Sequence, residues 1–189
     1  MKKILYSLSV TVSLVFASIN HVIAVPLPKS LVCSEEKPCS SPVGNWLTID
    51  DKTQHPRAVI QISMVDKGGV TELQGYSKYA FYTEGREWSN TYRGSYHPFK
   101  GKLVSSFPIM WGYQDLGDGR WGNGKVFDID GSKVYSSHLS LKDHGAHLKL
   151  FGCVLFMCRS QLWIRLNDAQ FKEYLRLADQ DEVAHPRAP

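Results

Sequence analysis

The feature of this sequence that most restricts its fold is a repeated alternation of apolar and polar residues. Residues 57–65, RAVIQISMV, place an apolar side chain at every second position, and residues 160–166, SQLWIRL, repeat the pattern. Alternation with a period of two puts the apolar side chains on one face of a β-strand, whereas an amphipathic helix has a period of about 3.6. The chain is therefore predicted to consist largely of half-buried strands.

Turn motifs between these runs indicate how the strands are connected. Each motif is rich in residues that tolerate positive φ. The motifs are DKGG at 66–69, DLGDG at 115–119, DIDGS at 128–132 and KDHGA at 142–146. A spacing of roughly a dozen residues predicts consecutive hairpins, and therefore an antiparallel meander of about eight strands. Closing such a sheet into a barrel pairs its first strand with its last and so removes both unpaired edges. We therefore predict an all-β fold, an antiparallel up-and-down β-barrel.

The two ends of the predicted domain differ from the barrel. Residues 25–41 contain several prolines and two cysteines and are expected to form an irregular lead-in to a barrel of residues 42–166. Asp168 can cap a helix over 167–180, which we expect to pack against the barrel. Residues 181–189 are polar and are predicted to form a flexible tail. The apolar stripe of the helix consists of Phe171, Tyr174, Leu175 and Ala178.

The first 24 residues have the pattern of a secretory signal peptide. Lys2 and Lys3 precede an apolar run, and Ala24 supplies the small residue that cleavage requires. Cleavage leaves 189 − 24 = 165 residues, which fits one domain, and lowers the formal charge from +4 to +2. Polar residues interrupt the run, so a membrane anchor is the weaker alternative. We predict a periplasmic or secreted protein with no transmembrane segment in the mature chain and, at this charge, no nucleic-acid partner.

Four cysteines are expected to form disulfide bonds in an exported chain: Cys33, Cys39, Cys153 and Cys158. Three pairings are possible. Proximity favours the two local pairs, whereas a crossed pairing would tie the N-terminal segment to the last hairpin. The spacings differ from the two-residue knuckles of zinc sites, so we predict no metal site.

Two tryptophans and an arginine suggest how the barrel closes. Gly44 and Trp46 begin the first strand, and Trp163 and Arg165 lie on the last. A guanidinium over an indole ring gains cation–π energy and can plug one opening, so Trp46 and Arg165 are predicted to be a structural barrel plug. The Gly-x-Trp start resembles that of lipocalins and their calycin relatives. The resemblance implies that the tryptophan lies at the base of the barrel with an arginine from the last strand over it.

A second resemblance covers roughly residues 42–166. It is carried by PVGNWLTID at the first strand, IMWGY at 109–113, WGNGKVFDIDGSKVY at 121–135 and RSQLWIR at 159–165. These blocks resemble the exported bacterial family known as domain of unknown function 2147. The resemblance implies a periplasmic or secreted calycin-like barrel and brings no established activity and no catalytic residues. The middle of the chain departs from the family pattern with an aromatic, polar stretch.

The search for catalytic motifs is negative. The sequence has no Gly-x-Ser-x-Gly elbow, no His-Glu-x-x-His pair and no phosphate-binding glycine loop. DHGAH at 143–147 and DIDG at 128–131 are interpreted as turns and not as metal sites. We predict no cofactor and no catalytic residues, and an enzyme of unknown class is the third of three hypotheses for the function.

The first hypothesis is a barrel that binds a small amphipathic or hydrophobic molecule such as a lipid or fatty acid. Arg159, Gln161 and Trp163 alternate on one side of the last strand, together with Arg165. If this side points inward, it lines a cavity in which arginine can hold an anionic group. If the opposite, leucine-containing side points inward, the interior is a packed core. Residue parity alone is compatible with both.

The second hypothesis is an interaction module that binds an envelope or secreted protein partner. The insertion at residues 76–99 contains eight aromatic residues interleaved with charged ones, and Trp88 and Tyr92 are candidate ligand-binding residues within it. Such a segment can form a binding rim at the barrel mouth. The alternative is that its tyrosines cover the exterior of the barrel.

Overall fold

The computed structural model describes residues 33–50, 53–84, 89–154 and 157–187; the predicted signal peptide, residues 1–24, lies outside them. Within the described residues the chain forms a closed barrel of eight antiparallel strands, in which each strand pairs with the next and the last with the first. The predicted all-β up-and-down barrel with one C-terminal helix is confirmed. The strands are β1 (Gly44–Ile49), β2 (Pro56–Lys67), β3 (Val70–Ala80), β4 (Met110–Gly117), β5 (Arg120–Asp128), β6 (Lys133–Lys142), β7 (His147–Val154) and β8 (Met157–Leu166).

The first two tight hairpins turn within the predicted motifs. β2 and β3 are joined at Gly68 and Gly69, whose φ angles of 64° and 86° lie in the left-handed region. β4 and β5 turn at Asp118 and Gly119, with φ angles of 52° and 67°. Left-handed backbone suits a two-residue hairpin because its twist matches that of the flanking strands, and glycine adopts it without a steric penalty.

The barrel has two ends, which we call lower and upper. β1 begins and β8 ends at the lower end. At the upper end β3 runs into the long connection of residues 81–109, which leads to β4. The larger buried cluster contains the inward-facing side chains together with aromatic residues of the 81–109 connection, and a second cluster lies outside, between the sheet and the helix.

Helix α1 (Asp168–Ala184) packs along the outside of the barrel. Its N-cap is Asn167 and not Asp168, because the side chains of Asn167 and Gln170 each bond the other's backbone N–H in a capping box. The outer cluster joins the helix to four strands, β1, β2, β3 and β8, across the line where β1 meets β8. Its buried members include Leu47, Val59, Leu166, Tyr174, Leu177 and Ala178.

The helix extends beyond the predicted end at residue 180. Asp181 accepts hydrogen bonds from the Tyr79 hydroxyl and from the backbone N–H of Tyr82, both at 2.9 Å. These contacts fix the last turn to the end of β3. Residues 181–184, expected to begin a flexible tail, are therefore helical.

The lower end is closed by Arg165. Its guanidinium carbon lies 4.2 Å from the centroid of the Trp46 ring. Its nitrogens donate to the carbonyls of Gly145, Val43 and Ser41 at 2.7, 2.9 and 2.6 Å. Burial lowers the pKa of Arg165 to about 10, so the side chain stays charged at neutral pH. The charge ties the N-terminal lead-in and the β6–β7 turn across the base of the barrel.

Both disulfide bonds are local. Cys33 pairs with Cys39 within the lead-in, and Cys153 pairs with Cys158 across the β7–β8 hairpin. These are the pairs that proximity favours. Neither disulfide crosses from one end of the chain to the other, so the closure between β1 and β8 is non-covalent.

Candidate functional site

The orientation of β8 decides what lines the barrel. Trp163 is 2% exposed and belongs to the inner cluster, whereas Leu162 is 48% exposed on the outside. Because side chains alternate along a strand, Arg159 and Gln161 share the inward face with Trp163 and Arg165. The polar side of the last strand therefore points inward, and its four residues run from the upper opening down to the base.

The lower half of the barrel is filled. Large side chains from five strands meet there, and each has 3% exposure or less. A side chain at this exposure has almost no contact with a water-sized space. No ligand chain can therefore descend to the base without displacing these residues. They are Trp46, Trp121, Leu139, Leu148 and Trp163.

A row of small residues crosses the inward face above this packed layer. Gly124 of β5 lies opposite Ser137 of β6, Ser137 opposite Gly152 of β7, and Gly152 opposite Arg159 of β8. Neighbouring strands are about 4.8 Å apart, so Ser137 and Arg159 are separated by about 10 Å. A Cβ atom added at Gly152 would come no closer than 3.4 Å to Val126. The wall between Ser137 and Arg159 is thus bare backbone with room for a side chain.

Tyr113 of β4 occupies the other end of this row. Its ring lies against Gly124, where an added Cβ atom would collide with it. The hydroxyl is fully buried beside Ser137, whose own hydroxyl donates to the carbonyl of Phe151. Burial raises the pKa of Tyr113, so the phenol is neutral and has a hydrogen to donate.

Arg159 and Gln161 form the polar edge of the site. Arg159 is exposed near the upper opening and has no ion pair or hydrogen bond with any residue in the described part of the chain. Gln161 is half-buried one step below and accepts a hydrogen bond from the Trp163 indole at 3.3 Å. The guanidinium can therefore donate two parallel hydrogen bonds that no acceptor in the described part of the chain uses.

The aromatic insertion lies elsewhere. Tyr92, at 3% exposure, contacts Phe107 and Phe127, and its hydroxyl donates to Ser132 at 2.7 Å. Phe127 lies on the opposite face of β5 from inward-facing Gly124. The structure thus places Tyr92 outside the barrel, away from Arg159. Trp88 lies outside the described residues.

Sequence reasoning did not select Tyr113, Ser137 or Gly152. The glycines carried a usable indication, because a glycine inside a strand often marks close approach of a ligand or another chain. No comparable indication existed for Tyr113, because the burial of its hydroxyl is visible only in three dimensions.

No group of three or more potential metal-ligating side chains occurs in the described residues. Asp143 and His147 of DHGAH, interpreted above as turn residues, pair with each other at 2.6 Å. Among the same residues, no helix has both the length and the hydropathy of a membrane span.

The fold and the arginine-covered tryptophan define a class, the lipocalin-like barrels. A family model for proteins described as "Uncharacterized protein conserved in bacteria (DUF2147)" matches residues 44–165, and the chain belongs to this family. Among solved structures, the chain is similar to HP1028 from the human pathogen Helicobacter pylori, which is described as belonging to the lipocalin family. The TM-score is 0.53 at 14% identity, covering 70% of this chain and 88% of that one. This likeness concerns the fold alone. No curated protein matches the sequence significantly.

Proposed function

We propose that this protein is a periplasmic or secreted binding protein that holds a small amphipathic ligand in the upper half of its barrel. The observation that supports this most is the inward-facing Arg159, which has no partner among the described residues and lies above a filled lower half. Arginine presents planar donors that match the two oxygens of an anionic head group. The apolar residues around it can take the remainder of the ligand.

Export is supported by two independent features. The N-terminal segment has the composition of a cleaved signal peptide. All four cysteines are oxidised in local pairs, as expected for a compartment that favours disulfide bonds. The mature chain is then predicted to begin at residue 25.

Binding is better supported than catalysis. The polar groups described on this part of the inward face are a guanidinium, an amide, a neutral phenol and a serine hydroxyl that donates to a carbonyl. Within this set no general base contacts the serine or the phenol, and a nucleophile needs such a base. The arrangement can orient an anion but has no means to activate a bond.

The experiment is native mass spectrometry of the mature protein purified from periplasm, with the denatured mass of the same sample as the reference. We expect excess mass that disappears on denaturation and is reduced in Arg159→Gln. The matched control is Arg120→Gln, because Arg120 is an exposed arginine at the opposite end of the barrel. A clean apo mass for the parent protein, or equal loss of ligand in both variants, would contradict the proposal.

A second candidate function, binding of a protein partner, is favoured by a feature outside the barrel. A groove of about 370 Å³ lies at the lower end and is lined in part by Leu116, Arg120, His138 and Phe151. Leu116 is 55% exposed, and His138 stacks on Phe151 at 4.8 Å. Co-purification that is lost in Arg120→Gln and retained in Arg159→Gln would favour this candidate.

A further inference from the structure

The groove on the outer face at the lower end of the barrel combines cations with an apolar lining. It is formed by residues of β4 to β7, among them Leu116, Arg120, Lys142 and Phe151. We infer that this groove docks an acidic segment of a partner protein, in which carboxylates flank one apolar side chain. The inference rests on the second candidate function, binding of a protein partner, and specifies the chemistry of that partner. It is independent of any ligand inside the barrel.

Strand register brings the cations of this face together. Arg120 of β5 lies opposite Ser140 of β6, and Ser140 lies opposite Lys149 of β7. Arg120 and Lys149 alternate with buried residues of the inner face, so both side chains leave the sheet on its outer side. Their backbones are two strand spacings apart, which is about 10 Å. Carboxylates two or three residues apart in an extended segment can therefore contact both cations.

Carboxylates of the chain itself do not neutralise this face. Strands β6, β7 and β8 contain no Asp or Glu, and the one acid of β5, Asp128, lies at its upper end. Two turns at the lower end supply the nearby acids. Asp118 lies 3.7 Å from Arg120, but both side chains are exposed, and such a pair stabilises little. Asp143 pairs with His147. The face therefore attracts carboxylates from another molecule.

The apolar part of the lining lies among these cations. The His138 and Phe151 rings are stacked with their centroids 4.8 Å apart, and the Lys149 ammonium lies 4.5 Å from the Phe151 centroid. Leu116, which also lines the groove, is 55% exposed. A flat ring pair and an exposed leucine offer contact area to one apolar side chain of a partner, and such a central contact contributes most of the affinity of small interfaces.

The shape of the groove favours a protein segment over a lipid surface. A bilayer surface is flat and cannot reach the lining of a concave groove, whereas a narrow chain segment can enter it. The groove is also an open part of the outer face. Helix α1 packs over the seam between β1 and β8, and the 81–109 connection packs on the upper part of β4 and β5 through Trp111 and Phe127.

The experiment is selection of random decapeptides, displayed on phage, against the immobilised mature protein. The most enriched sequence is then synthesised and titrated. We expect enriched sequences with Asp or Glu on both sides of an apolar residue. Salt screens such contacts, so raising NaCl from about 50 mM to about 300 mM should weaken binding about tenfold. No enrichment over an uncoated surface, or enriched sequences without acidic residues, would overturn the inference.

Variants of the lining test where the peptide binds. Arg120→Gln and Lys149→Gln should each weaken binding about threefold, because each removes one exposed ion pair. Phe151→Ala should weaken it about tenfold by removing the central contact. Lys100→Gln is the matched control, since Lys100 is an exposed lysine of the 81–109 connection. Parent affinity in the double variant of Arg120→Gln and Lys149→Gln would overturn the inference, whether or not Phe151→Ala folds.

Vesicles of one part phosphatidylglycerol to three parts phosphatidylcholine test the lipid alternative. The parent protein should not sediment with them. Sedimentation that is lost in the same double variant would assign the face to a membrane surface and overturn the inference.

The outcomes separate this inference from the function on which it rests. If a partner co-purifies in an Arg120-dependent manner but the selected peptides are not acidic, the inference is wrong and the second candidate function stands. If no partner co-purifies and no peptide is enriched, both are wrong. Ligand retention in the barrel is measured separately by native mass spectrometry and depends on Arg159, so neither outcome bears on it.

Discussion

Replacing Arg165 with methionine tests whether the base of the barrel depends on this side chain. The substitution removes hydrogen bonds to the carbonyls of Ser41, Val43 and Gly145 and the contact with the Trp46 ring. Three hydrogen bonds contribute about 1 kcal/mol each, and the cation–π contact about 1–2 kcal/mol. The lost contacts therefore amount to about 4–5 kcal/mol. Burying the charge of Arg165 is unfavourable and lowers its pKa to about 10, so replacing it with uncharged methionine offsets part of this loss. We expect a net loss of about 3 kcal/mol in the free energy of unfolding.

The assay is urea denaturation under non-reducing conditions, supported by the melting temperature, which should fall by about 6–12 °C for a chain of this length. Arg165→Lys should lose an intermediate amount, because one ammonium cannot reach three carbonyls on separate segments. Limited proteolysis should cleave residues 33–43 faster in Arg165→Met. The control, Arg120→Met, changes an exposed arginine and should stay within about 0.5 kcal/mol. An unfolding free energy for Arg165→Met equal to that of this control would refute the reasoning.

Three further substitutions test other parts of the fold. Asn167→Ala removes the helix cap shared with Gln170 and should lower the unfolding free energy by about 1 kcal/mol, measured by urea denaturation; no change would contradict the capping box. Tyr92→Phe loses the hydrogen bond to Ser132 and the one from the backbone N–H of Tyr96, and should cost about 2 kcal/mol without changing ligand retention in native mass spectrometry; loss of ligand would place Tyr92 in the site. The double substitution of Cys153 and Cys158 by serine opens a short loop and should cost about 2 kcal/mol in thermal melts, and a larger effect would show a role beyond the local loop.

The sequence was sufficient to predict the strands, the turns and the closure. The reason is that period-two alternation and turn residues are local features that packing reinforces. Trp46 and Arg165 could be paired because they stand at opposite ends of a chain whose ends must meet. The Asn167 cap was missed by one residue because Asp168 is chemically as suitable, and only the contact with Gln170 distinguishes them.

The candidate site was less accessible from the sequence. Both faces of β8 carry large apolar residues, and the helix that covers Ile164 and Leu166 outside the barrel is what assigns the leucines to the outer face. The insertion has no clear period, so the sequence could not show whether Tyr92 stands free or packs against Phe127. Gly124, Ser137 and Gly152 come to lie beside Arg159 only through register across β5 to β8, which no local pattern encodes.

The non-covalent seam between β1 and β8 has a consequence for the order of folding. The two strands are separated by more than a hundred residues, and helix α1 packs across them through Leu47 and Leu166. A contact of such long range forms late, because loop closure precedes any gain from pairing. The amides of β1 that bond β8, unlike those that bond β2, should be among the last to gain protection in pulse-labelled hydrogen exchange, and their early protection would contradict this order. A nascent chain therefore cannot pair β1 with β8 until residues 157–166 have been synthesised. Under the proposed export, the barrel would still be open, and able to pass a translocation pore, until synthesis is nearly complete.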